Sequence, residues 1–248
     1  MQVGFIGAGS MARALARGWG DPVLCTDAGS GRARALAGEL GGAALASNRE
    51  LAERADLVIL AHKPAQLEQV AGEIAGTARA VVSLLARTPQ ADVARAYPGT
   101  PVLRVEPNLP VEVGRGVITL AQGDADPALS DRVRALFARV GAVVVLPERL
   151  MSVAGGCAGV GPAYWALLVE AQVDAAVRRG IPAAQATELV TQTMRGSAEL
   201  MVARGVDTLA LRREVASPGG TTSRGLAALE RGGVRAAFHA ALDAVIDG

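Results

Sequence analysis

Residues 4–18, "GFIGAGSMARALARG", decide the fold of the first half of the chain. Gly7, Gly9 and Ala12 stand in G-x-G-x-x-A spacing, directly after a predicted strand and at the start of a predicted helix. Gly7 permits a tight turn, Gly9 lets backbone N–H groups approach a pyrophosphate, and the small Ala12 lets helix and strand pack closely. The stretch therefore predicts a dinucleotide site, with a purely structural glycine turn as the alternative.

Acidic and basic residues after the second predicted strand bear on which dinucleotide would bind. Asp27 follows Gly7 by twenty residues, where a carboxylate can hold the ribose 2′-hydroxyl of NADH. Arg32 and Arg34 come soon after and can meet the 2′-phosphate of NADPH, although they can also be ordinary surface residues. The sequence predicts NADPH or NADH as cofactor and leaves the choice open.

Short apolar runs alternate with helical patterns as far as residue 147. The runs predicted as strands are "QVGFIG", "VLCTD", "LVILA", "AVVSLL", "PVLRV", "GVITL" and "AVVVL". Several are apolar on both sides, as expected of parallel strands covered by helices on each face. We expect an α/β, doubly wound, Rossmann-type domain over residues 1–147.

The strand pattern stops after Pro147, and helical patterns ending at glycines follow. We expect an all-helical C-terminal domain over residues 148–248. The helix predicted from Gly161 is apolar around most of its circumference, which is more apolar surface than a small domain can cover. The residues concerned are Tyr164, Trp165, Leu167, Leu168, Val169, Val173 and Val177. This domain is predicted to form a homodimer, with a higher oligomer of dimers left open.

Composition argues against several other classes of protein. Lys plus Arg total 25 against 24 Asp plus Glu, and aromatic residues make up 3%, so a nucleic-acid partner is not expected. Cys25 and Cys157 are far apart and have no histidine cluster, so neither a metal site nor a disulfide is predicted. The start lacks the pattern of a signal peptide and the longest apolar run ends at Glu170, which predicts no membrane span and a cytoplasmic location.

A glycine-rich loop, "SPGG" at residues 217–220, interrupts the helical half. Gly219 and Gly220 precede the helical run "TTSRGLAALERG", so backbone N–H groups of a helix N-terminus would converge there on an anion such as a small carboxylate. Thr221 and Thr222 would add hydroxyl groups. The alternative is that Ser217 and Pro218 simply cap and start the helix.

The segment "SPGGTTSRGLAALERGGVRAAF" closely resembles the C-terminal signature of the pyrroline-5-carboxylate reductase family. The resemblance extends through nearly the whole chain. It includes "GFIGAGSMARA", "SNRELAERADLVILAHKP", "RVEPNLP" and "AGVGPAY". The C-terminal segment is the most specific of these motifs.

The resemblance implies reduction of the cyclic imine 1-pyrroline-5-carboxylate to L-proline by NAD(P)H, the last step of proline synthesis. Backbone N–H groups around Gly219, Gly220 and Thr221 would bind the substrate carboxylate, with Ser217 in the same loop. The Thr222 hydroxyl would lie near the ring nitrogen and assist its protonation. The helical domain of the partner subunit would complete the active site.

The resemblance also implies a set of coenzyme contacts. Asn48 would contact the adenosine portion, and Ala61, Lys63 and Pro64 would lie along the nicotinamide side with Asn108. The full predicted set is Gly7, Gly9, Ser10, Met11, Asp27, Asn48, Ala61, Pro64 and Asn108. Lys63, the only lysine in the sequence, is predicted to be catalytic together with Thr222, with a solvated strand-end residue as the alternative.

Several positions depart from the family pattern. Glu106 replaces a methionine, His62 a small apolar residue and Val160 a serine, while "ART" at 86–88 replaces the usual alanine-glycine. A carboxylate at 106 could pair with a cationic imine and His62 could donate a proton. On this hypothesis Glu106→Met would improve turnover of pyrroline-5-carboxylate. The alternatives are a related imine reductase acting on another cyclic imino acid and a cofactor-binding homologue that has lost catalysis.

Overall fold

The computed structural model describes residues 1–123, 126–205 and 207–247, which form two compact units, Met1–Pro162 and Ala163–Gly248. The strands are β1 Val3–Ile6, β2 Leu24–Thr26, β3 Ala43–Ala44, β4 Leu57–Leu60, β5 Val81–Ser83, β6 Val102–Pro107, β7 Gly116–Gln122 and β8 Gly141–Pro147. The helices are α1 Ser10–Trp19, α2 Arg32–Leu40, α3 Asn48–Arg54, α4 Leu67–Ile74, α5 Gln90–Ala96, α6 Pro127–Ala138, α7 Met151–Ala154, α8 Gly161–Val177, α9 Ala183–Ala203, α10 Thr208–Val215, α11 Thr221–Arg231 and α12 Val234–Asp247.

The strands of the first unit form one sheet in the order β3-β2-β1-β4-β5-β6-β7-β8. The strands from β1 to β6 run parallel, and β7 runs antiparallel to β6. Only the short 3-10 turn Leu109–Val113 joins β6 to β7, and so short a connection permits only an antiparallel return. Helix α6 then carries the chain across to β8, which pairs parallel to β7.

Two hydrophobic clusters cover the two faces of this sheet. Phe5, Ile59 and Val105 belong to one cluster, which also contains α1, α2 and α6 residues. Leu60 and Val81 belong to the other, which contains residues of α3, α4 and α5. The strands buried on both faces therefore explain the continuous apolar runs of the sequence.

The prediction of a Rossmann-type domain followed by helices is confirmed, with two differences of detail. The two-residue strand β3 was not predicted, because a pair of alanines carries no strand pattern. The strands end at Pro147 as predicted, whereas the first unit extends to Pro162. Residues 148–162 stay with the first unit because their helical turns pack against β6 and β7.

The second unit buries very little within one chain. In its described residues, Ala186 of α9 is the only buried hydrophobic residue. Trp165 and Leu167 of α8 are 53% and 63% exposed. The continuous helical stretch Glu148–Val177 is long and apolar enough to cross a membrane, by length and composition only, so the absence of a membrane span stays a prediction.

Candidate active site

A cleft of about 750 Å³ opens at the carboxyl ends of β1, β2 and β4, where Rossmann-type sheets bind ligands. The predicted residues that line it are Gly7, Gly9, Asp27, Asn48, Ala61 and Lys63. Thr26, Ser30, Arg32, Ser47, His62, Gln66, Gln69 and Glu73 also line it. Ser10, Met11 and Pro64 follow lining residues within two positions but are not part of the lining.

The glycine loop has the geometry that a phosphate group requires. Gly7 has φ +99°, and a Cβ there would lie 2.6 Å from the Ala61 carbonyl oxygen. Gly9 is the N-cap of α1 and offers no side chain to the free N–H groups of the first helical turn. A Cβ at Gly9 would meet nothing within 4 Å, so open space lies beside those donors. The loop therefore fits a pyrophosphate.

Asp27 uses its carboxylate within its own loop. Its Oδ1 accepts from the Gly29 amide at 2.9 Å, and its Oδ2 accepts from the Ser30 hydroxyl at 2.9 Å and the Ala33 amide at 2.8 Å. The hydrogen bond from Ala33 is the main reason that the pKa of Asp27 lies below its ordinary value. The carboxylate is thus ionised and largely occupied, while the Arg32 side chain lines the cleft.

Asn48 joins two sides of the cleft. Its Oδ1 accepts a hydrogen bond from the Thr26 hydroxyl at 2.5 Å, and its Nδ2 donates to Glu73 Oε2 at 2.6 Å. Thr26 ends β2 and Glu73 lies on α4. The amide therefore fixes the wall of the cleft, and its predicted contact with adenosine stays a prediction.

His62 and Lys63 follow β4 at the edge of the cleft. His62 Nδ1 donates to the Lys63 carbonyl at 2.9 Å, while Nε2 is buried without a partner among the described residues. Burial lowers the pKa of His62, so the ring is neutral at pH 7. A neutral imidazole with one proton committed to the backbone is a poor proton donor, which argues against the acid role considered from the sequence. Lys63 is exposed.

Asn108 lies at the carboxyl end of β6 and is buried. Its Oδ1 accepts from the Val117 amide at 2.8 Å and its Nδ2 donates to the Ala158 carbonyl at 3.1 Å. Both functional atoms of the amide therefore bond within the protein. Contact between Asn108 and the nicotinamide stays a prediction, and its observed role is to hold β7 and the turn around Ala158.

Glu106 also lies at the end of β6, and its charge has a partner. Arg104 bonds to the Glu106 carboxylate through Nη2 and to Glu148 Oε1 through Nη1, the latter at 2.8 Å. Burial lowers the pKa of Arg104, but the bonds and charges of Glu148 and Glu106 outweigh it and raise that pKa. The hypothesis that Glu106 presents a free charge to a cationic imine is therefore not supported by this geometry.

The "SPGG" loop lies in the second unit and forms a tight turn before α11. The Gly220 amide donates to the Ser217 carbonyl at 3.1 Å, with Pro218 and Gly219 between them, and Gly219 has φ +69°. This is the pattern of a type II turn, in which glycine suits the third position.

Gly220, rather than Ser217, is the N-cap of α11, and no side chain caps the helix. The amides of the first turn, beginning at Thr221, are therefore free to bind an anion. The Gly220 amide itself is already used by the turn. The alternative in which Ser217 caps the helix is not what the structure has.

Some lining residues of the cleft carried little signal in the sequence. Thr26 precedes the predicted Asp27 and could have been found from its place at a strand end. Gln69 and Glu73 lie on α4, where an amphipathic pattern gives no reason to distinguish them from other solvated residues. They reach the cleft only because α4 follows β4 across the edge of the sheet.

Known protein families match both parts of the chain. The family described as pyrroline-5-carboxylate reductase dimerisation matches residues 148–248, and the one described as NADP oxidoreductase coenzyme F420-dependent matches residues 2–87. A pyrroline-5-carboxylate reductase of Synechocystis sp. is 38% identical over 200 residues, covering 79% of this chain and 75% of the relative.

Two solved structures show the same fold over the whole chain. The 1-pyrroline-5-carboxylate reductase of Streptococcus pyogenes superposes with a TM-score of 0.90 at 31% identity, covering 100% of this chain and 97% of that one. A pyrroline carboxylate reductase of Plasmodium falciparum with NADP bound gives a TM-score of 0.87 at 25% identity, covering 100% and 96%. The chain therefore belongs to the pyrroline-5-carboxylate reductase family.

Proposed function

We propose that this protein reduces 1-pyrroline-5-carboxylate to L-proline with NADPH or NADH, the last step of proline biosynthesis. The observation that carries the proposal is the start of α11, where uncapped amides, a glycine N-cap and Thr222 stand together. That arrangement suits a small carboxylate beside a group that can give up a proton. Family membership supplies the identity of the substrate.

The coenzyme is proposed to bind at the cleft of the first unit. Amides of Ser10 and Met11, next to Gly7 and Gly9, would bind the pyrophosphate, because they belong to the uncapped first turn of α1. Asn48 would face the adenosine portion. When bound, the reduced nicotinamide supplies a hydride to the imine carbon. Ala61 and Pro64 are proposed for the nicotinamide side, with Asn108 holding neighbouring backbone.

The protein's own contribution to the reaction is placement and a proton. The first-turn amides of α11 would hold the carboxylate, which fixes the ring of the substrate. The Thr222 Oγ1 hydroxyl would lie near the ring nitrogen and donate or relay the proton that makes the imine easier to reduce. Lys63, exposed at the cleft edge, would add a positive charge near the phosphates or the nicotinamide.

The second unit is proposed to act as a homodimer. Its exposed apolar helices need cover, and the matched family is described as a dimerisation domain. The same cover accounts for the apolar stretch Glu148–Val177 without a membrane. By family resemblance, the "SPGG" loop of one copy serves the coenzyme cleft of its partner. A higher oligomer and a cytoplasmic location belong to the proposal as well.

The test is oxidation of NADPH and NADH by the purified protein with pyrroline-5-carboxylate. Wild type should oxidise at least one coenzyme, Thr222→Ala should lose about 100-fold in kcat, and Thr222→Ser, which keeps a hydroxyl, should retain most of it. Absence of oxidation by protein that binds coenzyme would reject the proposed substrate. Equal rates in Thr222→Ala and wild type would reject the role of Thr222.

A further inference from the structure

Arg104 is a buried cation held by two carboxylates from different parts of the chain. Its side chain is 7% exposed, and it bonds to Glu106 on the same strand and to Glu148, which follows β8. The side chains of Glu106 and Glu148 are 20% and 35% exposed. A buried guanidinium needs such partners because an unpaired charge in the interior is strongly unfavourable.

The other oxygen of Glu106 packs against Gly155. Glu106 Oε2 lies 3.1 Å from the place where a Cβ of Gly155 would stand, which is closer than side chains usually pack. Gly155 begins a π-helical turn, Gly155–Gly159, between α7 and α8. Turns of this kind are rare and occur often at functional sites. The glycine thus leaves the room that the carboxylate fills.

Asn108, two residues after Glu106, fastens the other end of the same turn. Its Nδ2 donates to the Ala158 carbonyl at 3.1 Å. Two side chains from the end of β6 therefore hold the π-helical turn, one by packing against its first residue and one by a hydrogen bond near its last.

We propose that Glu106 is a positioning residue that fixes the π-helical turn, and through it Asn108, instead of presenting its charge to the substrate. Its Oε1 is paired with Arg104 and its Oε2 lies beside Gly155, so the protein itself already balances the charge of this carboxylate. The role of Glu106 in turnover rests on the proposed reductase function. The packing of Glu106 against Gly155 is independent of that function.

The kinetic test is Glu106→Gln, which keeps the shape and removes the charge. A positioning role predicts that kcat falls about tenfold while KM for pyrroline-5-carboxylate stays within about twofold, because small displacements of a site cost mainly turnover. A rise in KM of about tenfold at unchanged kcat would mean that the carboxylate contacts the substrate, and would overturn the proposal.

The packing test is a double-mutant cycle of Glu106→Ala and Gly155→Ala. Gly155→Ala alone should lower the melting temperature and kcat, and should cause little further loss when Glu106 is already alanine, because residues in contact are not additive. Gly72→Ala, an exposed helical glycine whose Cβ would meet nothing within 4 Å, is the matched control and should lower neither the melting temperature nor kcat. Additive losses in the cycle would overturn the proposal.

The two readouts separate this inference from the proposed reaction. If wild type fails to reduce pyrroline-5-carboxylate, the reductase proposal fails and the melting temperatures of the cycle still decide whether Glu106 and Gly155 are coupled. The melting temperatures of the cycle could show coupling while every variant keeps the kcat of wild type. Glu106 and Gly155 would then contact each other without affecting turnover, and the positioning role would be overturned.

Discussion

The two units of this chain differ in what they bury by themselves. The first has two apolar clusters, one on each face of an eight-stranded sheet. Among the described residues of the second unit, Ala186 is the only buried hydrophobic residue, although its helices are rich in large apolar side chains. A core in one unit and an uncovered apolar surface in the other indicate different sources of stability. The sheet unit has a core of its own, whereas the helical unit exposes the apolar surface that a second copy is proposed to cover.

The largest effect is expected from a charge on the helical surface. Leu167→Asp, at a position 63% exposed in the single chain, should convert the dimer to a monomer of 25.2 kDa and abolish activity. The reason is that a buried, unpaired carboxylate disrupts an apolar interface. Molar mass by light scattering measures it.

Val113→Asp is the matched control, because Val113 is 73% exposed but lies in the sheet unit. It should stay dimeric. If both variants remain dimers, α8 does not form the interface and the contrast between the units loses its explanation.

In the sheet unit, the glycine loop before α1 can be tested by two substitutions. Gly7→Ala should lower both the melting temperature and coenzyme affinity, because φ is +99° and the Cβ would meet the Ala61 carbonyl. Gly9→Ala should leave the melting temperature near wild type and still weaken coenzyme binding about tenfold, because its Cβ enters the open space beside α1.

Fluorescence titration with reduced coenzyme and thermal melts measure both variants of the loop. Comparing Gly7→Ala with Gly9→Ala separates an effect on folding from an effect on coenzyme binding. Full coenzyme affinity in Gly9→Ala would show that the pyrophosphate does not lie at this loop.

A smaller effect should distinguish the two coenzymes. Arg32→Ala should raise KM for NADPH about tenfold and leave KM for NADH nearly unchanged, because Arg32 lines the cleft and can bind the 2′-phosphate. Arg34 does not line the cleft, so Arg34→Ala should behave as wild type with both coenzymes. Equal changes in KM for NADPH and NADH would show that Arg32 does not bind the 2′-phosphate.

The smallest expected effect concerns the departure at "ART". Arg87 has φ +55°, the left-handed conformation that favours the glycine usual in the family. Arg87→Gly should therefore raise the free energy of unfolding by about 1 kcal/mol with kcat unchanged. Denaturant unfolding at one fixed protein concentration measures this free energy. A destabilised variant would show that the arginine side chain makes compensating contacts.

The sequence predicted the features that depend on local pattern. The G-x-G-x-x-A loop, the apolar strands and the "SPGG" turn each carry their physical reason within a few residues, and each appears where expected. Residues brought together across the fold were harder to assign. Arg104 pairs with both Glu106 and Glu148, and Glu148 reaches it from a turn that comes much later in the chain. The sequence alone therefore suggested an unpaired carboxylate at Glu106, whereas the structure has a paired one.

The contacts with coenzyme and substrate that follow from family resemblance stay predictions. Asn108 illustrates why. The resemblance implies a nicotinamide contact for Asn108, whereas in the structure its amide bonds to Val117 and Ala158. Nothing in the local sequence distinguishes an amide that binds a ligand from one that binds backbone, because both require the same hydrogen-bonding groups.

On the proposed function, the helical unit works only in a symmetric pair and supplies its substrate loop to the partner's coenzyme cleft. The most direct measurement mixes two impaired variants, Gly7→Val with no coenzyme binding and Thr222→Ala with no proton donor, after subunit exchange. Random exchange in a two-fold dimer predicts recovery to about a quarter of wild-type activity, because each mixed dimer contains one intact site. Activity that stays at the mean of the two parents, with exchange verified, would contradict the claim.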